Sequence, residues 1–121
     1  MFGRCVRSTT RMIIAPCYKL PTVAPGHLYL IKEREFVRSK EPVYKIGKTT
    51  NIKNRMPSYP KDSLLIAMMY CPTNIHSVEK TLIQHFDQTF TKRIDIGAEY
   101  YESPSMSHIV HQFVNTLFAE F

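Results

Sequence analysis

The chain has 121 residues, of which 44 % are hydrophobic and 21 % charged, a composition that suits one small globular domain and argues against disorder. Its apolar runs are too short to cross a membrane, and its three Cys residues, none in a C-x-x-C pair, argue against a disulfide framework or a cysteine zinc site. The net charge of +6 is uneven, because residues 1–61 carry 13 Lys and Arg against 3 acids, and residues 62–121 carry 3 against 7. A basic half joined to an acidic half indicates a polyanionic partner such as nucleic acid.

Residues 1–25 form a predicted basic arm ahead of a single domain, residues 26–121. The arm contains no acid, and on a helical wheel Arg4, Arg7 and Arg11 fall on one side. Such a pattern is typical of an organelle-targeting segment over residues 1–20, of an arm that follows DNA, or of a packed extension.

The first half of the domain is predicted as strand, loop, strand and helix. In chain order these are a strand over 27–31, a long hairpin loop over 33–41, a strand over 43–46 stopped by Gly47, and a short helix from Thr50 or Asn51 to Tyr59.

The second half is predicted as strand, helix, short strand and helix. The apolar run 64–70 predicts a buried central strand. The remaining segments are a helix from residues 72–74 to Phe86 or Phe90, a turn over 93–97, a strand over 99–101, and a last helix after the cap Ser103–Pro104. The order predicts an α+β fold, a small three-stranded mixed or antiparallel sheet flanked by helices, with a C-terminal helix.

Tyr29 and Lys45 lie on adjacent predicted strands. If their registers match, the ammonium lies beside the phenol and favours the phenolate, which makes Tyr29 a candidate general base. A tyrosine buried for packing and a lysine on a solvated face fit the same pattern.

Arg55 stands in the apolar stripe of the short helix, with Ile52, Met56 and Tyr59. It therefore points inward or lies at the edge of the stripe. An inward guanidinium needs an anion, either a carboxylate such as Glu79 or a phosphate; an arginine at the edge extends its head group to water.

Glu79 lies inside the apolar face of the next helix, four residues after Ile75 and four before Ile83. A carboxylate in that place must be paired, protonated or bound to a metal. His85 borders the same face, and we interpret it as a core histidine with a hydrogen-bond partner.

The stretch from Val43 to Tyr59 resembles the second strand and first helix of the GIY-YIG nuclease superfamily, and it is especially similar to the nuclease domain of the bacterial excision-repair incision subunit. Residues 26–29 are similar to the first-strand motif of that family. Later segments resemble its compact branch, found in phages and large DNA viruses, namely Val78–Glu79, His85–Phe86 and residues 97–101. The resemblance covers about residues 26–102.

The resemblance implies a metal-dependent DNA endonuclease. It implies that Tyr29 activates the attacking water, that Arg55 holds the scissile phosphate, and that Glu79 binds one Mg²⁺ or Mn²⁺. Tyr59 would orient the water or phosphate, and Lys45 belongs to the same catalytic set. The basic residues expected to contact DNA are Lys48, Lys53, Arg4, Arg7 and Arg11.

The sequence departs from the family pattern at three points. His27–Leu28–Tyr29 replaces Gly-Ile-Tyr, and Lys45 replaces the tyrosine of the second motif. The late asparagine of the family has no clear match, which leaves Glu99 and His85 as candidates for its place. The alternative interpretation is therefore a GIY-YIG-like module that holds nucleic acid without cutting it.

DNA is the expected partner, and no integral membrane segment is expected. The three free Cys residues favour a reducing, intracellular setting, the nucleus or cytoplasm of a host cell. A third hypothesis is an organelle-targeted or membrane-surface protein that uses the N-terminal arm.

Overall fold

The structure, a computed structural model, describes residues 24–121. The predicted basic arm, with Arg4, Arg7 and Arg11, lies outside the described residues except for Ala24 and Pro25. The elements in chain order are β1 (Gly26–Lys32), α1 (Arg34–Ser39), β2 (Val43–Thr49), α2 (Ile52–Arg55), a 3-10 turn (Met56–Ser58), β3 (Leu64–Cys71), α3 (Ile75–Thr89), β4 (Thr91–Lys92), β5 (Tyr100–Glu102) and α4 (Met106–Phe118).

The strands form one antiparallel sheet in the order β3-β1-β2-β5-β4. The predicted α+β class is confirmed, whereas the predicted count of three strands is wrong for the described residues, which contain five. β5 lies close to the strand predicted over 99–101, which the three-stranded sheet left out, whereas β4, of only two residues, was not predicted. Segments of that length are too short to show the alternation by which a strand is predicted.

The segment predicted as a long loop contains a helix. α1 follows an extended Glu33 and ends at Lys40, whose φ of 62° is left-handed. Phe36 and Val37 are its apolar residues and are half-buried, too few to make a helical stripe. The loop prediction over 33–41 is therefore wrong.

The apolar run 64–70 is a strand, as predicted, but it lies at the edge of the sheet. Its side chains are largely exposed, with Leu64 at 48 %, Met68 at 47 % and Tyr70 at 54 %. An apolar run predicts that the strand gains free energy when it is covered, but it does not specify what covers it. The prediction of a buried central strand is therefore wrong.

The two faces of the sheet differ, and strand register assigns each residue to one of them. The core face packs on α3 and α4 and carries Leu28, Leu30, Tyr44 and Ile46. The opposite face, here called the outer face, carries Tyr29 and Ile31 of β1 together with their partners Gly47 and Lys45 of β2. Tyr100 of β5 pairs with Lys45 and shares the outer face.

Polar caps set the helix starts close to the predicted positions. Asn51 caps α2 by accepting from the backbone N–H of Asn54 at 3.1 Å, one of the two predicted caps. α2 is shorter than predicted, since a 3-10 turn with Pro57 replaces its second half. α4 starts after Ser105, slightly later than Ser103–Pro104 predicts. Within residues 24–121 no helix has the length and apolar character needed to cross a membrane.

Candidate active site

Three side chains meet at the hydroxyl of Tyr29. Tyr29 lies in the middle of β1 and its side chain is buried. The Arg55 Nε donates to the Tyr29 hydroxyl at 3.0 Å, and the Tyr59 hydroxyl lies 2.7 Å from it. The rings of Tyr29 and Tyr59 meet edge to face with their centroids 6.0 Å apart. We call these three residues the tyrosine cluster.

Gly47 makes room for the cluster. It pairs with Tyr29 across β1 and β2, and a Cβ built on Gly47 would collide with the Tyr29 ring. The strand continues past this glycine to Thr49, so the prediction that Gly47 ends the strand is wrong. Gly47 matters because it has no side chain, which lets the ring of Tyr29 lie directly against β2.

Arg55 is an exposed residue at the edge of its helix, so of the two predicted placements the edge is observed. Its hydrogen bond to Tyr29 is the main reason that its pKa is raised. Arg55 also lines a polar pocket of about 240 Å³, together with Thr49, Asn51, Asn54 and Ser58. Among residues 24–121 no carboxylate pairs with Arg55.

Lys45 lies beside Tyr59 and does not lie directly beside Tyr29. Its strand partner is Ile31, one pair along from Tyr29 and Gly47. The Lys45 Nζ lies over the rings of Tyr59 and Tyr100, 5.3 and 5.5 Å from their centroids. The expected pairing of Lys45 with Tyr29 is therefore wrong, and the cation next to the phenol is Arg55.

Glu33 holds Lys45 from the other side, a contact that the sequence did not predict. The Glu33 Oε2 lies 4.0 Å from the Lys45 Nζ, and the Tyr100 hydroxyl donates to Glu33 Oε1 at 2.8 Å. That hydrogen bond and burial together raise the pKa of Tyr100. The contacts of Lys45 with Tyr59 and Tyr100 could not be predicted, because neither tyrosine stands at a recognisable spacing from Lys45 in the sequence.

The pKa of Tyr29 is raised to about 12, against the expectation that a cation favours its phenolate. Burial is the largest cause, since it disfavours the charged form, and the hydrogen bond to Tyr59 acts in the same direction. The hydrogen bond from Arg55 lowers the pKa but is outweighed. In this state Tyr29 is therefore a neutral phenol at pH 7.

Glu79 is buried on α3, and the Lys48 Nζ bonds its Oε1 at 2.6 Å. Of the three states predicted for Glu79, this is the paired one. Its second oxygen, Oε2, is buried and has no hydrogen-bond partner. Lys48, which the family resemblance implies contacts DNA, here forms an ion pair with this carboxylate. We call these two residues the Lys48–Glu79 pair.

The tyrosine cluster and the Lys48–Glu79 pair occupy different places on the sheet. Lys48 follows Tyr44 and Ile46 in alternation and so leaves β2 from the core face, whereas Tyr29 leaves β1 from the outer face. Within residues 24–121 no hydrogen bond or ion pair joins the two groups. The structure thus brings Tyr29, Arg55 and Tyr59 together and keeps Glu79 in a contact of its own.

Glu79 offers a metal ion one carboxylate oxygen. Among the described residues no group of three His, Cys, Asp or Glu is placed to hold an ion. The unpartnered Glu79 Oε2 fits one ligand position of Mg²⁺ or Mn²⁺, ions that take oxygen ligands and complete their shells with water and phosphate. The residues present therefore fit a single-carboxylate site whose other ligands come from substrate and solvent.

The remaining predicted residues are placed as follows. Lys53 is exposed on α2, one turn from the polar pocket beside Arg55. His85 is exposed on α3, so its interpretation as a core histidine is wrong. The described residues carry twelve Lys and Arg against ten Asp and Glu, so most of the net positive charge belongs to residues 1–23.

Comparison with known proteins identifies the chain at the level of a family. No curated protein and no solved structure matches it. Residues 26–117, most of the chain, match the T5orf172 domain, which is phage-associated and regarded as nuclease-like. The protein therefore belongs to the T5orf172 domain family.

Proposed function

We propose that this protein is a metal-dependent DNA endonuclease that hydrolyses phosphodiester bonds at the tyrosine cluster. The observation that carries the proposal is the contact of a buried phenol with an exposed guanidinium, made possible by a glycine that leaves room for the ring. A packing role explains a buried tyrosine, but it does not explain an arginine whose outer nitrogens have no carboxylate partner among residues 24–121. The nuclease-like family is consistent with this assignment.

Arg55 is the proposed phosphate ligand. Its Nε is engaged by Tyr29, which orients the guanidinium, and among the described residues Arg55 is the one charged residue that lines the polar pocket. That pocket is lined by neutral polar side chains and contains no carboxylate that would repel an anion. A planar fork of N–H donors matches the oxygens of a phosphate and stabilises the extra charge of the transition state.

Tyr29 is the proposed general base. It would take a proton from water as the water oxygen bonds to phosphorus and the bond from phosphorus to the leaving sugar oxygen breaks. With a pKa of about 12, the phenolate fraction at pH 7 is about one part in 10⁵. We therefore expect the cleavage rate to rise about tenfold per pH unit above pH 7, as the reactive phenolate becomes more abundant.

Lys45 and Tyr59 are proposed positioning residues for Tyr29. Tyr59 bonds the Tyr29 hydroxyl directly, and Lys45 lies over the Tyr59 ring while Glu33 holds it from the other side. This places the ring of Tyr59 between a cation and the phenol that it orients. Loss of Lys45 should therefore act on Tyr29 through Tyr59.

Glu79 is the proposed metal ligand through its unpartnered Oε2. When bound there, Mg²⁺ or Mn²⁺ supplies positive charge that stabilises the leaving oxygen. Lys48 orients the carboxylate by its bond to Oε1. Lys53 and the arginines of the arm are proposed to contact the DNA backbone, which makes binding dependent on salt.

The experiment that tests the proposal is nicking of supercoiled plasmid by the full chain with Mg²⁺, Mn²⁺ or a chelator. We expect nicking that requires the metal, and a loss of at least about 100-fold in Arg55→Gln and in Glu79→Gln. The second change preserves shape and still accepts from Lys48, so it should fold. The matched controls are Lys80→Gln and Glu120→Gln, exposed residues with no part in the site. Equal nicking by wild type and Glu79→Gln in every metal contradicts the proposal.

A nucleic-acid-binding module that does not cut is the second candidate. The Lys48–Glu79 pair favours it, since a lysine already occupies one oxygen of the proposed metal ligand. So does the raised pKa of Tyr29, which leaves the phenol neutral. DNA binding that weakens as salt rises, with no cutting in any metal, would identify this candidate.

A further inference from the structure

A second cavity lies beside the tyrosine cluster. It has a volume of about 580 Å³ and mostly apolar walls. Ile31 and Leu65, partners across β1 and β3, line it together with Met56, Pro57 and Pro60. Its rim is polar and includes Lys61, Asp62 and Ser63. We call it the rim pocket.

The rim pocket is held in shape by contacts from α1. The Arg34 backbone N–H donates to Ser63 Oγ at 3.0 Å, and the Arg38 guanidinium pairs with Asp62 at 3.4 Å. Asp62 has a φ of 77°, a left-handed conformation that glycine, asparagine and aspartate adopt more readily than other residues. Together with the two prolines, these contacts indicate a preformed cavity, which does not need to be opened by its ligand.

Tyr59 joins the rim pocket to the tyrosine cluster. Its side chain lines the pocket, while its hydroxyl bonds Tyr29 and its ring lies 5.9 Å from the guanidinium carbon of Arg55. A phosphate held by Arg55 is therefore separated from the pocket by the width of one aromatic ring. In a nucleotide, the phosphate and its base are separated by a sugar, a comparable span.

We infer that the rim pocket receives one unpaired nucleobase of the DNA whose phosphate Arg55 holds. The apolar walls suit the faces of a base, and the polar rim suits its hydrogen-bonding edge. A base stacked in a duplex cannot enter, so the preferred substrates are single-stranded, bulged or branched DNA. The inference rests on the proposed function for the nature of the ligand, but it concerns binding and does not require cleavage.

The test compares two DNA hairpins that differ by one base. Each carries a single-nucleotide bulge, which is a normal thymidine in one and an abasic residue in the other, so their backbones and charges match. Binding is measured by fluorescence anisotropy with a chelator present, so no cleavage occurs. We expect the hairpin with the base to bind about tenfold more tightly, since one stacked base contributes about that much.

Two variants of adjacent leucines locate the effect. Leu65→Trp enlarges a side chain that lines the rim pocket and so fills it. It should abolish the tenfold preference while leaving affinity for the abasic hairpin unchanged. Leu64→Trp is the matched control, because Leu64 is equally exposed but pairs with Lys32 and does not line the pocket. It should retain the preference.

Each outcome separates this inference from the proposed function. Equal affinity of wild type for the two hairpins overturns the inference, whether or not the protein nicks plasmid. An unchanged preference in Leu65→Trp also overturns it, because the base is then bound elsewhere. A tenfold preference in a protein that never nicks DNA supports the inference and contradicts the proposed endonuclease.

Discussion

The tyrosine cluster and the Lys48–Glu79 pair each contain a buried polar group, the phenol of Tyr29 on β1 and the carboxylate of Glu79 on α3. The two groups are stabilised by different kinds of partner. Tyr29 remains neutral, since burial raises its pKa to about 12, and its partners are an arginine and a second phenol. Glu79 is matched instead by a lysine at 2.6 Å. A phenol can be buried as a neutral donor, whereas a buried carboxylate needs a cation.

The cluster and the pair also differ in how exposed their members are to a ligand. The cluster has an exposed member, Arg55, through which a substrate could reach the buried phenol. The pair has one free oxygen and a lysine that is one third exposed. The cluster therefore presents an exposed cation to a ligand, whereas the carboxylate of the pair is buried and already paired with a lysine.

The largest effect is expected at Gly47, where the cluster has no spare room. Gly47→Ala places a methyl group in the ring of Tyr29 and should destabilise the fold by about 3 kcal/mol. Urea denaturation followed by circular dichroism measures the change. Gly97→Ala is the control, because its Cβ would lie 2.9 Å from the ring of the half-buried Tyr100, a milder clash than that with the buried Tyr29, and it should cost less. Equal losses would mean that Tyr29 is free to move aside.

The next effect breaks the Lys48–Glu79 pair. Lys48→Met leaves a buried carboxylate without its cation and should cost about 2 kcal/mol, reduced from a fully buried pair because Lys48 is partly exposed. Adding Glu79→Gln should recover most of this loss, since a neutral amide needs no cation. A double-mutant cycle in urea measures the recovery. Additive losses would contradict the ion pair.

Alkaline pH should act on the cluster through Tyr29. Because the pKa of Tyr29 rises from 10 when unfolded to about 12 when folded, its contribution is complete below pH 10 and lost as pH rises through 12. Stability measured from pH 8 to 12 should therefore fall less steeply in Tyr29→Phe than in wild type. The comparison with Tyr29→Phe removes the background from Tyr100 and Tyr101, whose pKa values are also raised. Parallel curves would contradict the raised pKa.

The smallest effect tests one hydrogen bond. Tyr59→Phe removes the hydroxyl 2.7 Å from that of Tyr29 and should cost about 1 kcal/mol. It should also lower the pKa of Tyr29, since that bond raises it. Ultraviolet titration of the phenols, compared with the Tyr59→Phe, Tyr29→Phe double variant, reports the change. If the pKa of Tyr29 is unaltered, the hydroxyls of Tyr29 and Tyr59 do not form a hydrogen bond in solution.

Much of the fold could be read from local patterns. β1 follows alternation and α3 follows its apolar stripe, so both were predicted close to their observed bounds, and β2 was predicted from its first residue but extends to Thr49. α1 and β4 were missed, because a short charged helix and a two-residue strand carry no periodic signal. β3 was recognised as a strand but misplaced as central, since apolar side chains do not reveal whether a neighbour exists.

The candidate site divides in the same way. Tyr29, Arg55 and Glu79 stand out because each is a polar residue in an apolar pattern, and burial or a buried partner was expected for each. Their partners could not be predicted from spacing. Arg55 binds Tyr29 rather than a carboxylate, and Glu79 binds Lys48 rather than Arg55.

By itself, the sequence determined which residues are polar exceptions in apolar segments, because burial preference is a property of each side chain and its neighbours along the chain. Only the tertiary structure decided how they pair. Strand register sets the face of the sheet from which a side chain leaves, and a shift of one residue in β2 would move Lys48 to the outer face, away from Glu79. That choice depends on contacts between distant segments, which no local pattern contains.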